Sequence, residues 1–406
     1  MKVAVIGGGA SGLMAAYACA MNGNDVTIYE KNEKCGKKIY ITGKGRCNLT
    51  NAVSPQEFLT NVVNNSKFLT SAIYSFSPDD TVNLFESLGL RLKTERGNRV
   101  FPVSDHASDV TNCLENACKN LGVNVIFNAN IDKITILNST VSDIIVNKVR
   151  KKYDKVIVCT GGVTYPATGS TGDGYKFARE AGHTVVPPKP ALCGLNLKGN
   201  YFADLQGLTL KNVSLDIYYC DKKIKRLFGE MLVTHFGVSG PIILTASSFI
   251  NRLDLAKVKL SLDLKSALTE QKLDERILRD FAEAQNKSIS NVLKQLLPTS
   301  LIAVVLERCG IDGAKKVNSI TKNERLALIE VIKNFELKVD SLRPFEEAII
   351  TSGGVCVNEI NPKNMESKLV KGLFFCGEVL DVDALTGGFN LQIAFATGYV
   401  AGSSIK

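Results

Sequence analysis

The sequence lacks the paired cysteines from which disulfide frameworks and many metal sites are built. None of its eleven cysteines stands in a C-x-x-C pair, and only three histidines occur in 406 residues. Several cysteines lie inside apolar runs, among them Cys159 in VIVCTGG and Cys376 in LFFCGE. Cysteines in such runs are typically small buried hydrophobic residues. We therefore expect no metal site and a reducing, cytoplasmic setting.

Long apolar runs are also missing, and none approaches the roughly 20 residues of a membrane span. The opening MKVAVIGGGASGLMAAYACA superficially resembles a secretory leader, but its glycines interrupt the apolar run, so we interpret it as structure. The length predicts two or three domains. The net charge is +9, and its one dense basic cluster, KVRKKYDK at 148–155, is interpreted as a solvated hairpin, with contact to a polyanion as the alternative.

A glycine pattern stands between two short apolar runs near the start of the chain. KVAVIG is typical of a strand buried on both faces, and Gly7, Gly9 and Gly12 follow it as G-x-G-x-x-G. These glycines permit a tight turn, a close approach to a pyrophosphate and close packing of the next helix. The second strand, DVTIYE, ends at Glu30, whose carboxylate can accept both hydroxyls of a ribose. The pattern predicts a site for NAD or FAD and disfavours NADP.

The rest of the chain favours FAD over NAD. KKIYITGKGRCNLTN (37–51) is interpreted as a polar loop, because it is rich in turn formers. DKVIVCTGG (154–162) predicts another buried strand. The last forty residues predict a strand, a turn at Gly377–Glu378 and a helix that begins near Gly388. The N-terminus of that helix suits the negative charge of a reduced flavin.

Five blocks of sequence carry a family resemblance: GGGASGLMAA, KKIYITGKGRCNLTN, TGGVTYPATGSTGDGY, LVTHFGVSGPIIL, and the tail from TSGGVCVNEI to QIAFATG. Together they resemble the BaiN-like NAD(P)/FAD-dependent oxidoreductases, bacterial flavoproteins of the glutathione-reductase-type FAD fold. The resemblance implies an α/β chain, with a Rossmann-like FAD-binding domain built from both ends and interrupted by an inserted antiparallel β-barrel with a helical subdomain. The chain departs from the family at Lys44 and Ala384, where glycine is common, and at Phe389, where tyrosine is common.

The resemblance also implies which residues bind FAD. They are Gly7, Gly9, Ala10, Ser11 and Gly12 at the pyrophosphate, Glu30, Lys31 and Lys38 at the adenosine half, Gly43, Arg46 and Asn48 past the flavin end, Gly161 and Gly162 under the cofactor, Gly377 and Glu378 near the phosphate–ribityl stretch, and Gly388, Phe389, Asn390 and Leu391 at the pyrimidine edge of the ring.

The pattern of apolar residues changes near Pro190. Alternation at period two predicts antiparallel strands over 191–265 and 336–345, and helical periodicity predicts a helical subdomain over 266–335. Thr321 and Glu324 predict a capping box. We therefore expect an FAD-binding domain at 1–190 and 346–406 and an insert at 191–345.

Two residues are the candidates for catalysis. Arg46 holds an anionic substrate group or stabilises reduced flavin; the alternative is that it binds carbonyl groups of its own loop. His235 faces the substrate or bonds only to the backbone. His106 and His183 are interpreted as structural, and Cys47 as non-catalytic because no second thiol is close in sequence.

The sequence thus predicts an FAD-dependent oxidoreductase that transfers hydride between flavin N5 and a small organic substrate, with NAD(P)H as a transient donor. Reduction of an activated double bond and oxidation of a small amine by O2 both stay open. An FAD-dependent protein that modifies or binds RNA is the second hypothesis, which basic residues clustered on the insert would favour. A non-catalytic FAD sensor is the third. We do not expect nucleic acid or a membrane as a partner, and the oligomeric state is left open.

Overall fold

The structure is a computed structural model that describes residues 1–199 and 203–406. These residues form two compact units, Met1–Ala191 with Phe345–Lys406, and Leu192–Pro344. We call the first the discontinuous unit and the second the insert unit. The insert unit, at 192–344, differs from the insert expected at 191–345 by one residue at each end.

The discontinuous unit contains short strands and helices from both ends of the chain. Its strands are β1 (Lys2–Ile6), β2 (Asp25–Tyr29), β3 (Thr50–Asn51), β4 (Val62–Asn64), β5 (Leu92–Glu95), β6 (Arg99–Pro102), β7 (Asn124–Ile126), β8 (Ile131–Leu137), β9 (Thr140–Val146), β10 (Val149–Lys152), β11 (Lys155–Val158), β12 (Val185–Ala191), β20 (Ile350–Val355), β21 (Leu373–Phe375) and β22 (Asp383–Ala384). Its helices are α1 (Ala10–Met21), α2 (Lys37–Ile41), α3 (Pro55–Thr60), α4 (Ser66–Ser75), α5 (Pro78–Ser87), α6 (Ala107–Asn120), α7 (Asp173–Glu180) and α13 (Phe389–Ser404).

A parallel sheet of five strands forms the centre of this unit, in the order β21-β11-β1-β2-β7. Strands β1, β2, β11 and β21 are almost completely buried, as in parallel sheets covered by helices, whereas the edge strand β7 is only partly buried. Strand β21, near the C-terminus, lies beside β11, and β11 lies beside β1. Both ends of the chain therefore build one Rossmann-type sheet, which confirms the predicted fold class.

The segment 37–51 corrects one expectation. The sequence predicts a loop over the whole segment, but Lys37–Ile41 is a short helix whose Ile39 is buried. KKIYI holds no glycine or proline, so its apolar residues can form a turn of helix. The turn formers come afterwards, where Gly43 and Lys44 both adopt left-handed backbone angles.

The insert unit joins a curled sheet to a group of helices. Its strands are β13 (Leu195–Leu197), β14 (Thr209–Tyr219), β15 (Lys222–Thr234), β16 (Gly237–Ser239), β17 (Val258–Asp263), β18 (Phe335–Leu337) and β19 (Val339–Leu342). Its helices are α8 (Pro241–Ile250), α9 (Glu270–Glu283), α10 (Ile289–Val292), α11 (Thr299–Cys309) and α12 (Lys322–Lys333). The prediction of strands over 191–265 is wrong at α8, which begins directly after Gly240; most of this helix is buried, so it lacks the polar face that would give a helical periodicity.

The seven strands of the insert unit pair antiparallel in the order β18-β17-β14-β15-β16-β13-β19. The two edge strands, β18 and β19, are joined by the single residue Lys338. The sheet therefore curls enough to bring the end of β18 beside the start of β19, as the predicted barrel requires, although β18 and β19 are not paired with each other among the described strands. Helices α9 to α12 follow β17 and precede β18, and Thr321 and Glu324 form the predicted capping box.

Two further properties concern the whole described chain. All eleven cysteines are free thiols. Within 1–199 and 203–406, no helix combines the length and apolar character needed to cross a membrane.

Candidate functional site

The glycine-rich turn after β1 leaves the start of α1 open. Gly7 is left-handed (φ 101°), and a Cβ there would lie 2.6 Å from the carbonyl oxygen of Cys159. A Cβ on Gly12 would lie 1.8 Å from the Gly7 carbonyl oxygen, whereas one on Gly9 would meet no described atom within 4 Å. In the described chain no side chain caps α1 at Gly9. The first N–H groups of α1 are therefore available to an anion.

Glu30, directly after β2, is buried with both carboxylate oxygens engaged. Its Oε2 accepts from the Gly8 N–H at 2.7 Å. Its Oε1 accepts from the backbone N–H of Asn32 at 2.8 Å and from the Asn32 side-chain Nδ2 at 2.7 Å. A carboxylate has about four acceptor positions, so three bonds leave room for one ribose hydroxyl rather than two. The same bonds give Glu30 a second role, because they hold the glycine-rich turn.

Helix α13 begins with a second bare N-terminus. Its N-cap Gly388 is left-handed (φ 95°), and no side chain of the described residues caps the helix. The Phe389 ring is buried against Phe58, with ring centroids 5.2 Å apart. The Asn390 side chain accepts from the Ala384 N–H at 2.9 Å and donates to the Ala384 carbonyl oxygen at 2.8 Å. These residues therefore offer a ligand their backbone N–H groups rather than their side chains.

Helices α1 and α13 are in contact and run in the same direction. A Cβ on Gly398 would lie 2.4 Å from the Ser11 carbonyl oxygen, and one on Gly402 would lie 2.2 Å from the Ala15 carbonyl oxygen. Because both helices advance by four residues between these contacts, they are parallel. Helix α13 begins about eight residues before the level at which α1 begins, which corresponds to ~12 Å. The two bare N-termini thus point the same way with an offset along the helix axes.

These features fit FAD. An elongated molecule with a pyrophosphate at one position and a flavin ring at another can face both bare helix ends, since each end attracts negative charge. The Asn48 Oδ1 is a buried acceptor without a hydrogen-bond partner among the described residues. Leaving such an atom unpaired costs about 1–3 kcal/mol, so a donor supplied by a bound group would stabilise the loop.

Lys38 and Glu378 meet at the centre of a polar network. The Lys38 Nζ donates to Glu378 Oε2 at 2.7 Å and to Thr164 Oγ1 at 2.7 Å. Glu378 Oε1 also accepts from the Thr351 N–H at 2.8 Å and from Thr164 Oγ1 at 3.1 Å. The network joins α2, the loop after β11, β20 and the short 3₁₀ turn Gly377–Val379.

Lys31 lies in a different set of contacts. Its Nζ donates to Thr171 Oγ1 at 2.5 Å and to the Asp173 carboxylate at 2.8 Å, at the start of α7. Gly161 is left-handed (φ 71°), and a Cβ on Gly162 would lie 2.2 Å from Thr351 Oγ1. The loop after β11 therefore needs its glycine pair to pack against β20.

Arg46 is held by two carboxylates. Its Nε and one Nη2 hydrogen donate to Asp105 at 2.8 and 2.6 Å, and its Nη1 and Nη2 donate to Glu95. Its guanidinium lies 4.3 Å from the centre of the Phe101 ring. Lys93 and then Arg46 hold the pKa of Asp105 below its usual value, and Arg46 does the same for Glu95. Within the described residues its side chain binds no carbonyl of its own loop, so that alternative interpretation is wrong.

The two candidate catalytic residues lie in different units. His235 is exposed in the two-residue turn between β15 and β16, with its ring edge-on to Phe236 at 5.1 Å. His183 is buried, with Nδ1 3.1 Å from Glu359 Oε2 and Nε2 2.7 Å from Ser367 Oγ. These two partners agree with a structural role for His183.

Cys47 is completely buried, and burial raises the pKa of its thiol to about 12. At neutral pH the thiol is therefore protonated and a poor nucleophile. No group of three or more His, Cys, Asp or Glu residues in the described part of the chain is arranged to hold a metal ion.

Sequence reasoning missed four polar partners at the site. They are Thr164 and Thr351, which bind Glu378, and Glu95 and Asp105, which bind Arg46. Each of these four residues is distant in sequence from the residue that it binds, so no local pattern could reveal the contact. The nearest signal is that Thr164 and Thr351 each stand two residues from a glycine pair, Gly161–Gly162 and Gly353–Gly354.

Comparison with known proteins agrees with this geometry. Residues 1–404 match the family described as HI0933-like protein Rossmann domain. The chain belongs to this family. The HI0933-like proteins bind FAD, and the chain is an FAD-dependent oxidoreductase, so the BaiN-like resemblance is confirmed.

Among the HI0933-like relatives, the chain is 31% identical to the 3-dehydro-bile acid delta(4,6)-reductase of Clostridium scindens, over 99% of this chain and 98% of the relative. It is 28% identical to the ribosomal RNA dihydrouridine synthase of Haemophilus influenzae, over 99% and 98% of the two chains. The 3-ketosteroid-delta4-(5alpha)-dehydrogenase of Rhodococcus jostii RHA1 shares the fold with a TM-score of 0.55 at 14% identity, over 100% of this chain and 96% of that one.

Proposed function

We propose that the chain reduces a carbon–carbon double bond conjugated with a carbonyl group, and that NAD(P)H supplies the electrons by transient binding. One observation carries this proposal. Both curated relatives described above match nearly the full chain, and both names describe saturation of such a bond. A delta(4,6)-reductase of a 3-dehydro-bile acid acts on double bonds conjugated with the 3-oxo group, and dihydrouridine arises by saturation of the uracil C5–C6 bond.

When bound, FAD supplies hydride transfer at its N5 atom. The protein's own part is to bind FAD and to polarise the carbonyl group of the substrate. The bare N-terminus of α1 would hold the pyrophosphate, Glu30 would accept one ribose hydroxyl, and the N–H groups that follow Gly388 would stabilise negative charge on the flavin.

Arg46 has fewer hydrogen-bond donors to offer a substrate than an unpaired arginine would have. Its four hydrogen bonds to Glu95 and Asp105 use four of its five N–H donors. One Nη1 hydrogen is left, which suffices to polarise one carbonyl oxygen but not to grip an anion with two parallel bonds. We propose that Arg46 supplies this single donor.

The direct test is anaerobic mixing of the purified yellow protein with NADH or NADPH, followed by an acceptor. The expected result is loss of flavin absorbance with a nicotinamide, and its return with a 3-oxo-4-ene steroid or a uridine-containing RNA. Rapid reduction by a small amine would instead indicate an oxidase. Failure of every donor to reduce the flavin would indicate a sensor.

A second candidate is the same chemistry on uridine within RNA, and the distribution of charge favours it. The insert unit holds 23 basic and 17 acidic residues, a net charge of +6. The longer discontinuous unit holds 26 basic and 23 acidic residues, a net charge of +3. A polyanionic substrate benefits from such an excess of positive charge.

A comparison of acceptors separates the two candidates. If RNA is the substrate, protein reduced in advance is reoxidised faster by a uridine-containing RNA than by free uridine, and added salt slows the RNA reaction only. If a small enone is the substrate, the steroid reoxidises the flavin at a rate that salt leaves unchanged.

A further inference from the structure

Basic and aromatic side chains share one face of the insert sheet near the β14–β15 turn. Lys259, Tyr218 and Lys223 stand opposite one another on three adjacent strands, and Arg226 and Phe228 follow Lys223 on the same face of β15. We call these five residues the basic–aromatic patch. The opposite face of the same strands is core, since residues such as Leu215 and Ile217 are fully buried. The patch is therefore the outer face of this part of the sheet.

An aromatic ring and two cations of the patch are exposed to solvent. Phe228 is 68% exposed, the highest value among the large apolar side chains described. The side chains of Lys223 and Arg226 are 40% and 51% exposed. Asp216 is 16% exposed and lies 2.7 Å from Lys223 and 3.6 Å from Arg226, and Asp263, 9% exposed, lies 3.5 Å from Arg226. Both carboxylates are less exposed than the two cations that they orient, so an approaching ligand meets the cations first.

We infer that the basic–aromatic patch binds single-stranded RNA. Single strands are held by aromatic rings on which bases stack, with cations along the backbone between them. Tyr218 and Phe228 supply the rings, and Lys223, Arg226 and Lys259 supply the cations. An apolar protein partner would need the ring but not three lysine and arginine side chains around it. The net charge of the insert unit agrees with a polyanion. This inference rests on the proposed function in its RNA form.

The test measures binding of a short, uridine-rich, single-stranded RNA to the full-length holoprotein by fluorescence anisotropy at several salt concentrations. Phe228→Ala should weaken binding about tenfold, since stacking is worth roughly 1–3 kcal/mol per base, and should leave the salt slope unchanged. Lys223→Gln with Lys259→Gln should reduce the slope of log K against log salt by about 1.4. The matched control is Lys151→Gln with Lys152→Gln, which removes the same charge from exposed positions of β10.

Two results would overturn the inference: unchanged binding in Phe228→Ala, or an equal loss in the β10 control, which would indicate non-specific attraction. Reduction of a free enone is measured in parallel, and the patch variants should retain it. If the chain reduces the enone but binds RNA equally with and without the patch, the inference fails and the proposed reduction stands. If RNA binding depends on the patch but the protein reduces no double bond, the inference about the patch stands and the proposed reduction fails.

Discussion

The ammonium group of Lys38 lies 2.7 Å from a carboxylate oxygen of Glu378, across 340 positions of sequence. The family resemblance assigned Lys38 to the adenosine half of FAD and Glu378 to the phosphate–ribityl stretch. Because each neutralises the other, we infer that they act as one unit that fixes the 3₁₀ turn Gly377–Val379 against the loop after β11. Lys38 is then a positioning residue rather than a free positive charge.

A double-mutant cycle on this pair tests that interpretation. Lys38→Met and Glu378→Gln should each raise the rate of FAD release, and their effects should not add, with a coupling energy of about 1 kcal/mol. Flavin fluorescence after dilution measures the release. The control cycle uses Lys31 and Asp173, a more exposed pair, in which a coupling near zero is expected. Additive effects of Lys38→Met and Glu378→Gln would show that the two residues act separately.

Glu30→Gln should weaken FAD retention about tenfold. The amide loses one acceptor, and its NH₂ group faces N–H donors of Gly8 and Asn32, so it removes a ribose contact and opens the turn. Dialysis followed by measurement of bound flavin gives the retention. Asn32→Ala is the control, because it removes a side-chain bond to the same carboxylate but leaves the carboxylate intact, and it should cost less. Undiminished yellow colour in Glu30→Gln would contradict the ribose assignment.

Lys44 occupies a backbone conformation that glycine adopts more easily. Its φ of 58° lies in the left-handed region, between the left-handed Gly43 and Gly45. A residue with a Cβ pays about 1–2 kcal/mol in that region. Lys44→Gly should therefore raise the thermal midpoint of unfolding above that of Lys44→Ala. At an ordinary loop position the order is reversed, because glycine is the more flexible residue in the unfolded state. A less stable Lys44→Gly would show that this backbone conformation is relaxed for lysine.

His183 should make stability depend on pH. Burial lowers its pKa below 6.5, an effect that the neighbouring Glu359 only partly opposes. The unfolded chain then takes up a proton before the folded chain does, so the contribution of His183 to stability is complete above about pH 6.5 and is lost as the pH falls. Thermal midpoints between about pH 7 and about pH 5 should fall less steeply in His183→Gln than in the wild type. His106→Gln, at an exposed position, should keep the wild-type slope.

The sequence predicted the parts of the site that are encoded locally. The G-x-G-x-x-G turn, Glu30 and the helix after Gly388 each depend on residues close together in the chain, and the structure forms the helices where expected. The salt bridge of Lys38 with Glu378 and the carboxylates around Arg46 depend on contacts between distant segments. Side-chain partners of that kind leave no periodic signal. The helix at Lys37–Ile41 has only five residues, and Gly43 and Gly45 follow it so closely that the whole segment has the composition of a loop.

The most direct test of the account is a single turnover without oxygen. The holoprotein is reduced stoichiometrically with NADH or NADPH, freed of excess nicotinamide, and mixed with a 3-oxo-4-ene steroid or with a uridine-containing RNA, and the product is analysed by mass spectrometry. The account predicts that flavin colour returns and that one equivalent of a product saturated at its conjugated double bond appears. Reduced protein that only oxygen reoxidises, with both compounds recovered unchanged, would contradict it.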